Sequence, residues 1–137
     1  MPIGACRDPS MSEVALNSIV PILFVRDVSA SAAFFQKKLG FEIDFLHGVP
    51  PFYGSVSRGE ICLHFRFVHQ PNFAELAARE VSLILATIEV SDVRGLFEEF
   101  KERDVEFAQT PTKQPWGGTD FHVRDPDGNV ISFVTYV

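Results

Sequence analysis

The side chains able to do chemistry sit in a few short stretches. "GEICLHF" carries Cys62 and His64 two positions apart, and "TDFHVRD" carries Asp120 and His122 at the same spacing. In an extended chain that spacing puts both members of a pair on one face. Imidazole and thiolate are metal ligands, which makes His64 and His122 candidate ligands; the plainer expectation is that they line a cleft or sit in satisfied hydrogen bonds. His64, His122 and Glu89 are the groups available for proton transfer, which needs a partner to poise them. Cys62 becomes a nucleophile only where its thiol pKa is lowered; otherwise it serves as a small buried hydrophobe. His47 and His69 fall at loop edges.

A second kind of candidate is flat and apolar. Trp116 stands in the Gly/Pro-rich run "TPTKQPWGG", where packing alone seldom calls for so large a side chain. It is the first candidate for stacking on a ligand, with plugging an open sheet edge as its structural alternative. Phe52 and Tyr53, directly after "GVPP", are second candidates. Arg66, Asp120 and His122 supply polar contacts, although any alternating strand exposes one polar face.

The totals narrow the partners. The 137 residues suit one domain, or two small halves sharing a core. A net charge of −6 speaks against nucleic acid, whose phosphates need a basic face, and favours neutral or cationic ligands. Cys6 and Cys62 form no framework, which points to reduced thiols in the cytoplasm. The first residues lack the basic and apolar runs of a secretory signal, and no stretch is long and apolar enough for a membrane span. Residues 1–17, with two Pro and a Gly, are expected to form a flexible arm.

The elements that must position these residues come in two rounds. "SIVPILFV" (Ser18–Val25) is a predicted strand, with Pro21 favouring an edge. Asp27 or Ser29 caps a helix whose Val28, Ala32, Phe35 and Leu39 share one face, and Gly40 ends it. "FEIDFL", "FYGSVS" and "EICLHFRF" are strands, the last two joined by a tight turn at Arg58–Gly59. Residues 68–80 form a linker with a short helical middle. The pattern then repeats: strand "VSLILATIEV", a helix capped by Asp92, then strands "VEFAQ", "TDFHVRD" and "VISFVTYV". Asp92 follows Asp27 by 65 residues, and both open from Val-x-Asp-Val. The expectation is an α+β chain of two tandem βαβββ modules, 18–67 and 81–137, within one domain spanning 18–137.

Three segments, "VRDVSASAAFFQKKLGFE", "VSDVRGLFEEFKERDVEF" and "PWGGTDFHVRDPDGNVISF", resemble the glyoxalase/bleomycin-resistance/extradiol-dioxygenase family over nearly the whole chain after residue 17. The resemblance implies that each sheet curls into half of an incomplete barrel, with helices outside and ligand on the concave face. Family enzymes hold a divalent metal there on the first and fourth strands of each module. Counting seven residues back from Asp27 and Asp92, and seven on from Asp125, gives Val20, Leu85 and Ser132, with the fourth position near Cys62. Val and Leu are not ligands, Ser is a weak one, and neighbouring registers are no better. The resemblance is therefore closest to metal-free, bleomycin-resistance-type proteins, which sequester a drug and pair as homodimers with the grooves between chains. That implies a ligand-binding protein of the antibiotic-resistance kind, with no cofactor and no catalytic residue. Trp116, His64, His122, Asp120, Arg66, Phe52, Tyr53, Cys62 and Ser132 would line the groove. The alternative is a lyase, isomerase or dioxygenase of the same family.

Overall fold

A computed structural model of the chain describes residues 14–136. The expected arm therefore lies largely outside the described residues, as does Cys6. Module one runs β1 (Ile22–Val25), α1 (Val28–Leu39), β2 (Glu42–Gly48), β3 (Pro51–Arg58) and β4 (Ile61–Phe67). After a short α2 (Phe73–Arg79) the order recurs as β5 (Ala86–Glu89), α3 (Val93–Glu102), β6 (Phe107–Lys113), β7 (Gly118–Arg124) and β8 (Val130–Tyr136). The two four-stranded sheets have matching orders, β1-β4-β3-β2 and β5-β8-β7-β6. In each, the first strand pairs in parallel with the fourth, and the other pairs are antiparallel. This is the expected pair of βαβββ modules, with no closed barrel.

Local chemistry explains the helices. The Asp27 side chain accepts from the Ala30 N–H, and the Asp92 side chain from the Gly95 N–H, each satisfying a donor that the first turn leaves open. Gly40 closes α1 in the left-handed region at φ 75°, where an L side chain is strained. Val28, Ala32, Phe35 and Leu39 are all buried against the sheet, as their spacing predicts.

Several boundaries differ from the sequence expectation; β2, for one, runs past Leu46 through His47 and Gly48, which pair with Tyr53 and Pro51. β1 and β5 are four residues each, shorter than their apolar runs; ahead of β5 the chain turns through Ser82 (φ 56°). In the other direction, β6 continues through Thr110–Lys113, expected as loop. Pro111 is tolerated there because β6 is an edge strand and needs no inward donor at that residue.

The core runs through both modules. Phe35, Phe65, Phe100 and Phe121 are fully buried, and edge-to-face contacts join Phe35 to Phe65 and Phe100 to Phe133. Polar side chains also cross between modules. Arg58 holds Glu99, Lys38 Nζ donates to the Arg103 carbonyl, and the Asp127–Asn129 turn reaches Phe24 and Arg26.

Candidate functional site

One face of each sheet packs on its helix, and the opposite face carries the chemistry. In module one the β1–β4 and β3–β4 ladders put Ile22, His64, Ser55 and Tyr53 on the far side from Leu23, Leu63 and Phe65. The Tyr53 hydroxyl and His64 Nδ1 are 2.8 Å apart. Phe45 lies 6.5 Å from Tyr53, nearly parallel to it, and edge-on to His64 at 6.1 Å. Beside this aromatic group, the Ser55 and Ser57 hydroxyls donate to the two oxygens of Asp44 at 2.9 and 2.7 Å, and Ser55 Oγ is 3.3 Å from Cys62 Sγ.

Module two presents a different face. Asp120 and His122 are both buried, with His122 Nε2 3.3 Å from Asp120 Oδ2. The side-chain amides of Gln109 and Gln114 donate to Asp120 Oδ1 at 2.8 and 2.9 Å. Ser132 lies opposite His122 in one ladder and opposite Thr87 in the other. Trp116 folds back over β7: a Cβ on Gly118 would meet Trp116 Cζ3 at 2.6 Å, so only glycine leaves room for the ring. Gly118 shares its face with Asp120, so the half-exposed indole caps the same surface, 6.0 Å from Tyr136.

The sequence candidates therefore divide into two groups. Cys62, His64, Arg66 and Tyr53 share the module-one face; Trp116, Asp120, His122 and Ser132 share the module-two face. Phe52 joins neither. It alternates away from Tyr53, half exposed, and lies edge-on to His47 at 5.2 Å. Phe45, Asp44, Gln109, Gln114 and Tyr136 complete the two faces and were not among the candidates. A register shift between Ile43 and Phe45 turns Asp44 and Phe45 to the same side, which strict alternation in "FEIDFL" hides.

The ladders also revise one equivalence. Ile22 pairs with His64, and Thr87, 65 residues on, pairs with Ser132. The counterpart of Ser132 is thus His64, and Cys62 matches Val130. Val20 and Leu85 precede the first strand of each sheet, and as hydrocarbons they cannot bind a cation. Among the described residues no three His, Cys, Asp or Glu side chains are grouped to hold a metal ion, so the donor set does not fit the divalent site of the family enzymes.

The cavities do not coincide with the faces as a whole. One, of about 210 Å³, adjoins His122 and Gln109 beneath Ala77, Ser82 and Leu83. A larger one, about 460 Å³, lies elsewhere, at the seam between the modules; of the sequence candidates it touches Glu89, and none of the expected groove residues. No helix among the described residues is long and apolar enough to cross a membrane.

Residues 15–133 match the model of the Glyoxalase/Bleomycin resistance protein/Dioxygenase superfamily, and the chain belongs to that superfamily. Within it, the chain is similar to the bleomycin-binding protein from bleomycin-producing Streptomyces verticillus, solved in complex with copper(II)-bleomycin. The two share 31% identity over 88% of this chain and 96% of that one, with a TM-score of 0.70. A bleomycin resistance determinant encoded on the transposon Tn5 is 25% identical over 88% of this chain and 98% of its own, with a TM-score of 0.71. A glyoxalase-related enzyme from Clostridium phytofermentans, 16% identical, covers 91% of this chain and 98% of its own at a TM-score of 0.71, a likeness of fold alone. No curated protein matches the sequence.

Proposed function

We propose that the chain is a cytoplasmic small-molecule binding protein of the bleomycin-resistance type, which sequesters an aromatic or cationic ligand without a metal. The observation that carries this reading is the pairing of flat apolar rings with fixed polar groups on the sheet faces: Phe45 and Tyr53 beside His64, and Trp116 beside the Asp120–His122 network. Ligand sites combine such surface with a few oriented polar atoms. The net charge of −6 favours a cation over an anion. Similarity to a bleomycin-binding protein at 31% identity supports the class of ligand, and bleomycin is the first compound to test. The reading takes residues 18–137 as one domain. It pairs two copies, so that the module-one face of one chain closes over the module-two face of the other.

The test is a titration of Trp116 emission with metal-free bleomycin and with a flat aromatic cation such as proflavine, alongside sedimentation equilibrium. Saturable quenching by a dimer is expected. A flat response to both compounds, or a monomer at all concentrations, defeats the reading.

The buried Asp120–His122 pair favours a second reading, a superfamily enzyme that uses His122 as a proton acceptor toward the adjoining cavity. Conversion of a bound ligand that His122→Gln slows in kcat far more than it weakens binding would select it over sequestration.

A further inference from the structure

We propose that the seam cavity is a second ligand site, built for a small apolar molecule that carries a primary amide. The proposal does not rest on the sheet-face reading. The cavity holds about 460 Å³, within the range of small-molecule sites, and is walled by Phe41, Ile61, Ile88, Leu96, Phe100 and Phe133.

Its origin lies in a difference between the two modules. Each module's last hairpin turn abuts the open edge of the other module's first strand. In module two that turn is Asp125–Asn129, and it closes the seam: Asn129 Nδ2 donates to the Phe24 carbonyl at 3.2 Å, and Asp127 Oδ1 accepts from the Arg26 N–H at 3.1 Å. The ladder equivalences place Ile61 where module two has Asn129, and the Gly59 turn where it has Asp127. Neither residue can make those bonds.

The edge groups they would meet are still present. The 65-residue repeat carries Phe24 to Glu89 and Arg26 to Ser91, and both Glu89 and Ser91 line the cavity. Val90 N–H is bonded back to the Val134 carbonyl, so alternation turns the Glu89 carbonyl and the Ser91 N–H outward, away from β8. The Ser91 N–H has no partner among the described residues. A primary amide supplies both missing functions in one group, with its NH₂ on the Glu89 carbonyl and its oxygen on the Ser91 N–H. Charge selects against an acid in this place. Glu89, Asp92 and Glu99 line the cavity, and the one cation lining it among the described residues, Arg58, is already committed to Glu99 and the Leu39 carbonyl.

Benzamide, toluene and benzoate, titrated into ¹⁵N-labelled full-length chain, test the idea. Benzamide is expected to shift the Ser91 amide downfield with saturation and to leave Gly118–His122 unmoved. Toluene should perturb Ile88 and Leu96 without moving Ser91, and benzoate should do neither. Ile61→Asn restores the module-two side chain and should weaken benzamide at least about tenfold; Leu96→Trp, which fills the space, should do the same. Seam amides that stay still up to the solubility of benzamide overturn the proposal. So does a Ser91 shift no larger with benzamide than with toluene, or benzamide affinity that survives in whichever of the two variants folds. A seam shift that follows protein concentration rather than benzamide also overturns it, showing a second copy as the occupant. Because the readout is confined to the seam, loss of bleomycin or proflavine binding at Trp116 leaves this result untouched.

Discussion

His122 Nε2 stands 3.3 Å from Asp120 Oδ2, and both side chains are almost wholly withdrawn from solvent. Asp120 is the hub of that face, since the Gln109 and Gln114 amides both converge on its other oxygen.

Truncation at this hub separates structure from binding. Asp120→Ala takes the carboxylate acceptor from the part-buried Gln114 amide and the buried imidazole and leaves Gln109 only its longer bond to the main-chain carbonyl, at a cost of about 1–3 kcal/mol. Asp120→Asn keeps one oxygen to accept and loses less. Urea unfolding checks this, with the midpoint expected to fall in the order wild type, Asn, Ala at constant m. Equal midpoints for all three would show that the network contributes nothing.

Trp116 is the chain's one tryptophan, so its emission reports a single place. Gly118→Ala puts a methyl where Trp116 Cζ3 and Val134 Cγ2 would stand 2.6 and 2.9 Å away. The ring must lift, because the strand cannot. Red-shifted emission and faster acrylamide quenching are expected, with a stability loss of about 1–3 kcal/mol from overpacking. Unchanged emission would mean that the indole does not rest on β7.

Much of this fold was legible because the local signals agree with one another. Asp27 and Asp92 are caps, Gly40 is a stop, and Val28, Ala32, Phe35 and Leu39 form a buried stripe; each is a short-range effect of a few neighbouring residues. The pairing of Asp120 with His122 was legible for the same reason, as a spacing of two on a strand. Other features depend on distant chain. Phe45 joins the site through a register shift, Gln109 and Gln114 reach Asp120 across a hairpin irregularity, and Thr110–Lys113 become strand only because β7 offers a ladder. The His64–Ser132 equivalence required the parallel ladders, because counting from a turn fails where one turn is longer than its counterpart.

Asp125 makes stability depend on pH in an unusual direction. Burial pushes its carboxyl up from 3.8 to about 6, outweighing the bonds from Asn129 and the Asp127 N–H that favour the ionised form. Between those values the folded chain retains a proton that the unfolded chain has released, so this group's contribution is fully present below 3.8 and lost as pH rises toward 6. The full shift corresponds to at most about 3 kcal/mol. Asp125→Asn does not titrate. Urea midpoints of wild type measured against the variant should decline from pH 4 to 6 and then level off. A difference that grows as pH rises would reverse the assignment.

The Arg58–Glu99 clasp behaves oppositely. Arg58 Nη1 and Nη2 donate to Glu99 Oε2 and Oε1 at 2.8 and 3.0 Å, and the same guanidinium reaches the Leu39 carbonyl, joining the first hairpin to α3 across the seam. The hydrogen bonds from Arg58 hold the Glu99 carboxyl below its ordinary 4.5; burial opposes them as the second-largest effect, and the charges of Arg58 and then Arg103 add to the lowering. Its contribution is therefore present above 4.5 and fades as pH falls through the lower folded value. Both side chains are about a third exposed, so screening by water keeps the coupling small. A double-mutant cycle of Arg58→Met and Glu99→Gln at pH 7 should give about 0.5–1 kcal/mol, shrinking in high salt. Once pH falls below the lowered folded value, the wild type and Glu99→Gln should converge, because protonation then does what the substitution does. A coupling that stays undiminished as the acid titration is completed would mean that Arg58 works through the Leu39 carbonyl and not through the carboxylate.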